Sequence, residues 1–165
     1  MVKLRLNREF LLRHTFSLLV FLALGGWFAF DASVRYPRTD ARELYMTIEK
    51  SAPPDGFDLK SFKEQKMRTQ LILALVTLVA ATGIGLHLLS VSRLAFSFDD
   101  DSFEYGTVKY SYSDVSKVDV SKWSSKGILS FYARDKKIAL DAWHHSGVKE
   151  FYEKLNSRVD FSAKI

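Results

Sequence analysis

Four places in this sequence carry side chains suited to chemistry. They are the carboxylates Asp99, Asp100, Asp101 and Glu104, the imidazoles His144 and His145 after Asp141, the isolated His87, and Trp123 between Lys122 and Lys126. The acidic group could ligate calcium. The regular calcium-loop spacing, with a central Gly and a distal bidentate Glu, is missing, so Asp99–Ser102 reads as a solvated hairpin turn. His144 and His145 are neighbours, and on a helix their side chains would diverge by about 100°. No third ligand follows one helical turn later, and Ser146, with Glu150 close by, is placed to cap a final helix. His87 lies in an apolar run, where an ionisable group is by default a functional candidate. Arg93 is close behind it, however, and neither apolar run offers an acidic partner for a proton relay. Cysteine is absent, which excludes disulfides, thiolate metal sites and cysteine nucleophiles. There is no Gly-rich phosphate loop, nucleophile elbow or recognisable carboxylate pair. The sequence thus supplies no catalytic, cofactor-binding or metal-ligating residue, and the chain reads as a non-enzyme without cofactors.

What remains is a set of candidate interaction residues. A Trp flanked by Lys122 and Lys126 can dock at a headgroup interface or anchor a protein partner; alternatively Trp123 covers the open end of a small barrel. Gly25 with Ala29, and Ala81 with Gly85, place small residues four apart, a spacing that lets helix backbones approach closely in lipid. That pattern suits a simple two-helix hairpin, with self-association through the spans as its alternative use.

The elements carrying these residues follow from the distribution of charge. Between Arg13 and Asp31, and again between Arg68 and Arg93, there is no fixed charge. Thr69–Ser92 could reach about 36 Å as a helix, enough to cross a hydrocarbon core with some tilt. His14–Phe30 is shorter, and its basic flank with Ala23-Leu24-Gly25 could form a secretory signal. The apolar run continues through Gly26-Trp27-Phe28-Ala29-Phe30, and Trp27 and Tyr36 suit an interfacial aromatic belt, so a retained span over 14–34 is the preferred reading. The second span is 69–92.

Lys3, Arg5, Arg8 and Arg13 against Glu9 give residues 1–13 a net charge of +3, and the polar regions 31–68 and 93–165 carry +1 each. The basic pI of 9.4 is therefore no nucleic-acid stripe but a basic tail beside a span. Counted near the span ends, the positive charges are nearly balanced; the dense N-terminal cluster favours cytoplasmic termini. In the connecting segment 35–68, Asp40-Ala41-Arg42-Glu43 reads as a capping box ahead of Leu44, Tyr45 and Ile48 on one helical face. Pro53-Pro54-Asp55-Gly56 stops that helix. Ser61-Phe62-Lys63-Glu64 repeats the capping pattern and leads into the second span.

After Arg93 the period changes. Leu94–Phe98, Phe103–Val108, Val115–Val120, Gly127–Arg134 and Lys137–Leu140 read as about five antiparallel strands, with the valines of the third on one face. Val148, Phe151, Tyr152, Leu155 and Val159 then recur at helical spacing over Gly147–Val159. The predicted fold is a membrane α-helical hairpin followed by an α+β domain over 93–165, an antiparallel meander closed by an amphipathic helix. The stretch Tyr110-Ser111-Tyr112-Ser113-Asp114-Val115-Ser116-Lys117-Val118-Asp119 is followed by Lys122-Trp123, Lys126-Gly127 and Leu140-Asp141-Ala142-Trp143. Together these resemble the bacterial PH-domain-like membrane proteins over about residues 92–160. The resemblance implies a small PH-like domain, with fewer strands than the usual seven, serving as a scaffold or binding module. Three consecutive carboxylates in its first turn disfavour inositol-phosphate recognition. The expectation is a multi-pass inner-membrane protein with its termini and PH-like domain in the cytoplasm. It would be a non-enzymatic interaction or scaffold protein, an accessory subunit that meets the bilayer and a membrane-protein partner but no nucleic acid. The alternative is a lipid-surface sensor or transport accessory using Lys117, Lys122, Lys126, Lys136 and Lys137.

Overall fold

The computed structural model describes residues 1–159. The chain divides into two compact units, Met1–Arg13 with His87–Ile165, and His14–Leu86. In order, the elements are β1 (Val2–Lys3), β2 (Arg5–Leu6), α1 (Arg8–Phe30), a π-helical turn (Asp31–Arg35), α2 (Tyr36–Arg38), α3 (Ala41–Glu49) and α4 (Leu59–Ser92). There follow β3 (Phe96–Phe98), β4 (Ser102–Tyr105), β5 (Val108–Ser111), a 3-10 turn (Tyr112–Asp114), β6 (Val115–Asp119) and α5 (Trp123–Lys126). The last are β7 (Ile128–Ala133), β8 (Lys136–Asp141), β9 (His145–Ser146) and α6 (Val148–Arg158).

The first unit, the head, is α+β. Among the described residues its strands form three antiparallel sheets, ordered β1-β3-β4-β5, β2-β9 and β6-β7-β8. This is more strands than the five expected from the sequence, for two physical reasons. The run Phe103–Val108 is not one strand: Gly106, at φ +65°, turns the chain so that Tyr105 pairs with Val108 across a tight hairpin. The basic segment 1–13 contributes two short strands, with Val2 opposite Phe98 and Leu6 opposite His145, and the second of them draws out β9 as its partner. The valines of β6 also depart from strict alternation. Val115 and Val118 are both buried although three apart, because a bulge between Val115 and Lys117 inserts one residue. The β7–β8 turn falls at Arg134-Asp135, one residue earlier than expected, with Ala133 opposite Lys136.

Helix α6 closes the head through Phe151. Its ring is fully buried, with centroids 4.8 Å from Phe96, 5.3 Å from Phe98, and 5.6 Å from both Phe103 and Phe131. Leu4, from the N-terminal segment, joins the same core. Gly147 caps α6 at φ +91°; Ser146, expected to cap it, lies in β9 and donates its hydroxyl to the Arg5 carbonyl at 3.2 Å.

The second unit is helical. Helix α3 begins at the expected Asp40 cap, whose carboxylate accepts from the N–H groups of Arg42 and Glu43, the Asp40 half of the expected capping box. Helix α4 begins earlier than Ser61 suggests. Asp58 accepts from the N–H groups of Lys60 and Ser61, so the polar lead-in and the apolar run form one helix of 34 residues. Tyr45, Phe57 and Phe62 pack with centroids 4.9–5.9 Å apart, and Lys63 donates to the carbonyls of Pro37 and Thr39. The helix over Arg8–Arg38 and α4 are both long and apolar enough to cross a membrane.

Candidate functional site

Trp123 begins α5, a single turn between β6 and β7. Its indole is half-buried and stacks on Tyr152 of α6, with centroids 4.4 Å apart and planes inclined by 17°. The ring thus packs against the rim of the head core. Lys122 and Lys126 flank it and are exposed. Asp119, upstream, accepts from the N–H and hydroxyl of Ser121, which hold its carboxyl below the usual range. The local arrangement is one aromatic side chain tied into the fold between two solvated cations.

The small residues divide. A Cβ at Gly25 would meet Leu78 and Thr77 atoms at 3.0 Å, so α1 and α4 approach closely there. Ala81 is buried, as is Ala74 seven residues before it, while Ala29 is half-buried. At Gly85 a Cβ would meet nothing within 4 Å. Among these residues, the close approach lies within one chain, between the two long helices.

Sequence reasoning missed a polar group on the same seam. Asp31, with 3% exposure, opens the π-helical turn, and its carboxylate lies 3.4 Å from Arg35 Nη1. Tyr36 is buried rather than outward-facing, its hydroxyl accepting from Gln70 Nε2 at 3.3 Å; Gln70 Oε1 is buried without a hydrogen-bond partner. A π-turn rotates the residues after it onto another face of the helix. A 3.6-residue period places them differently, so no pattern in the sequence would have revealed this.

The histidines are also drawn together. His144 lies 3.5 Å from the Asp141 carboxylate, and its ring centroid is 5.5 Å from His87 and 4.7 Å from the fully buried Phe10. His145 is buried, and its Nε2 meets the Val91 carbonyl at 3.2 Å. Arg13 lies over the Trp143 ring. Among the described residues no cluster of three or more His, Asp or Glu is arranged to hold a metal ion. The acidic turn is built from hydrogen bonds: the Asp99 carboxylate accepts from Asp101 N–H and from the N–H and hydroxyl of Ser102, which lowers its pKa. Asp100 pairs with Lys154 of α6, lowering its pKa likewise.

Compared with protein-family models, with curated proteins and with solved structures, the chain finds no match. Its own geometry defines the class: an α+β protein of antiparallel sheets and helices, with two helices of membrane-crossing length and apolarity.

Proposed function

We propose that the chain is a two-span inner-membrane protein whose PH-like head is a non-enzymatic interaction module, an accessory or scaffold subunit of a membrane complex. The observation that carries the membrane anchor is the direction of the apolar side chains. Helices serving as the core of a soluble domain bury them; here only 17% and 11% of the two apolar windows is buried, and Leu75 and Val79 are each 64% exposed. Such belts are satisfied by lipid or by neighbouring membrane helices. The pairing of β1 with β3 and of β2 with β9 supports a retained first span over a cleaved signal, since cleavage near Gly25 would strip Leu4 and Phe10 from the head. It also supports both ends of the chain lying on one side of the bilayer, and the basic N-terminal residues favour the cytoplasmic side. The PH-like reading rests on the four- and three-stranded sheets closed by α6.

Alkaline carbonate extraction of the full-length protein tests the anchor: retention in the pellet is expected, and release into the aqueous fraction overturns it. Purification in mild detergent tests the module, with a stoichiometric membrane-protein partner expected. The lipid-sensor reading draws on the exposed Lys122 and Lys126. The engagement of Trp123 with Tyr152 weighs against it, because the stack commits one face of the half-buried indole to the fold. A large loss of binding to anionic vesicles by the full chain on Lys122→Glu with Lys126→Glu would reverse that order.

A further inference from the structure

We propose that His145 is an acid-released clasp, which holds the N-terminal strand β2 and the last turn of α4 to the head when neutral and lets go when protonated. The argument begins with the imidazole's two nitrogens. The Val91 carbonyl can only accept, so Nε2 at 3.2 Å must carry the proton and donate. Nδ1 is then the unprotonated nitrogen, and it is buried with no hydrogen-bond partner. A second proton would have to enter at Nδ1. It would create an N–H without an acceptor and a positive charge in a residue only 5% exposed.

The groups facing this ring do not offset that cost. Asp141, the nearby carboxylate, lies 3.5 Å from His144 Nδ1, and His144 lies against His87 on α4. From β2, Arg5 stands opposite Ser146 in the strand pair, with its side chain exposed. Burial, with His144 adding to it, holds the His145 pKa below its ordinary 6.5, against the opposing pull of the Val91 carbonyl and of Asp141. A histidine depressed in the closed state makes closure strongest above 6.5 and weaker as pH falls below it, because only the open state readily takes the proton.

Three segments meet at this residue. Leu6 is its partner in the β2–β9 pair, Val91 belongs to the last turn of α4, and the preceding His144 carbonyl accepts from Asn7 N–H at 2.8 Å. When the ring leaves, β2 loses its neighbour and the end of α4 loses its tie to β9. Mild acid therefore frees β2 and Asn7 from β9, while β1 stays paired with β3 and Leu4 stays in the aromatic core around Phe151.

The test is amide hydrogen exchange of residues 5–7 in the full-length protein in lipid nanodiscs, corrected for intrinsic exchange, with residues 2–4 on β3 as the internal control. Opening is expected to rise by up to about tenfold between about pH 7.5 and about pH 5.5, the shift that one linked proton allows. Helix α3 should not change. His145→Gln keeps a donor but cannot be protonated, so it should abolish the step; His144→Gln should keep it. Equal exchange at the two pH values in the wild type, or a full step in His145→Gln, overturns the clasp. Should His145→Gln fail to fold, the wild-type imidazole is followed by nitrogen NMR. A neutral Nε2–H ring that persists below 6.5 and protonates together with strand opening supports the clasp. A ring that titrates at or above 6.5 while exchange stays constant overturns it.

Discussion

Phe151 and Leu75 are both large apolar side chains on helices, and they meet opposite surroundings. Phe151 in the head is fully buried among four phenylalanines, whereas Leu75 in the helical unit is 64% exposed. The head hides its apolar surface from water with sheets and a closing helix. The helical unit joins its two long helices along a narrow seam of Gly25, Ala74 and Ala81 and leaves the rest of the apolar surface outward. Burial therefore carries the stability of the head, while the helical unit depends on what surrounds it.

The sharpest way to break this contrast is a matched pair of truncations. Phe151→Ala should destabilise the head by about 3–5 kcal/mol through lost transfer energy and the cavity left behind. Leu75→Ala should change stability in detergent by less than about 0.5 kcal/mol. Denaturant unfolding of the full chain, followed by near-ultraviolet circular dichroism, reads both; comparable losses would mean that Leu75 is packed against protein. Next in size is Leu4→Ala, expected to cost the head about 2 kcal/mol or more, because Leu4 belongs to its core although it precedes α1 in the chain. If Leu4→Ala is silent, the N-terminal strands are dispensable and the head is complete from β3 onward.

The long-period features were legible in the sequence: the apolar runs, the change to strands after Arg93, the Asp40 cap, and the spacing of Val148, Phe151 and Leu155 on α6. These are local patterns, readable wherever one residue's neighbours in space are its neighbours in the chain. Strands β1 and β2 were not, since two-residue strands have no period and their partners lie more than ninety positions away. The turn at Gly106 was hidden inside an apolar-looking run, and the β6 bulge restored to one face valines that a period of two would separate. Of the candidate interaction residues, Gly25 lies at a close helix approach and Ala81 is buried, but the expected partner spacing of four does not hold: Gly85 meets nothing within 4 Å, and Ala74, seven residues before Ala81, is buried instead. The stacking of Trp123 on Tyr152 and the gathering of His87, His144 and His145 come from tertiary pairing alone.

A smaller effect sharpens the helical side of the comparison. Gly25→Leu places side-chain atoms against Leu78 and Thr77, and overpacking of this kind costs about 1–3 kcal/mol. Gly85→Leu adds atoms where nothing lies within 4 Å, so it should leave the melting of the helical unit in mild detergent unchanged. Equal losses from the two substitutions would place Gly85 in an interface as tight as the one at Gly25, and so point to contact with a second chain.

The smallest effect is on the head and changes with alkali. The Tyr112 hydroxyl donates to the Asp99 carbonyl at 2.9 Å, and burial first, then the nearby carboxylates Asp99, Asp100 and Asp101, push its pKa up to about 12 from an ordinary 10. Because the folded head holds this proton more tightly, its contribution is complete below pH 10 and is lost as the pH rises through about 12. Tyr112→Phe gives up the hydrogen bond, at a cost of about 1 kcal/mol in neutral solution, and with it this alkaline loss. Lysines titrate in the same range in both proteins, so the informative quantity is the difference between wild type and variant at about pH 9 and about pH 11. That difference should narrow with rising pH when unfolding of the head is followed by denaturant. A difference that stays constant would mean the phenol ionises as freely in the folded head as in the unfolded chain, and that the rim beside the acidic turn is open to water where the Phe151 core is not.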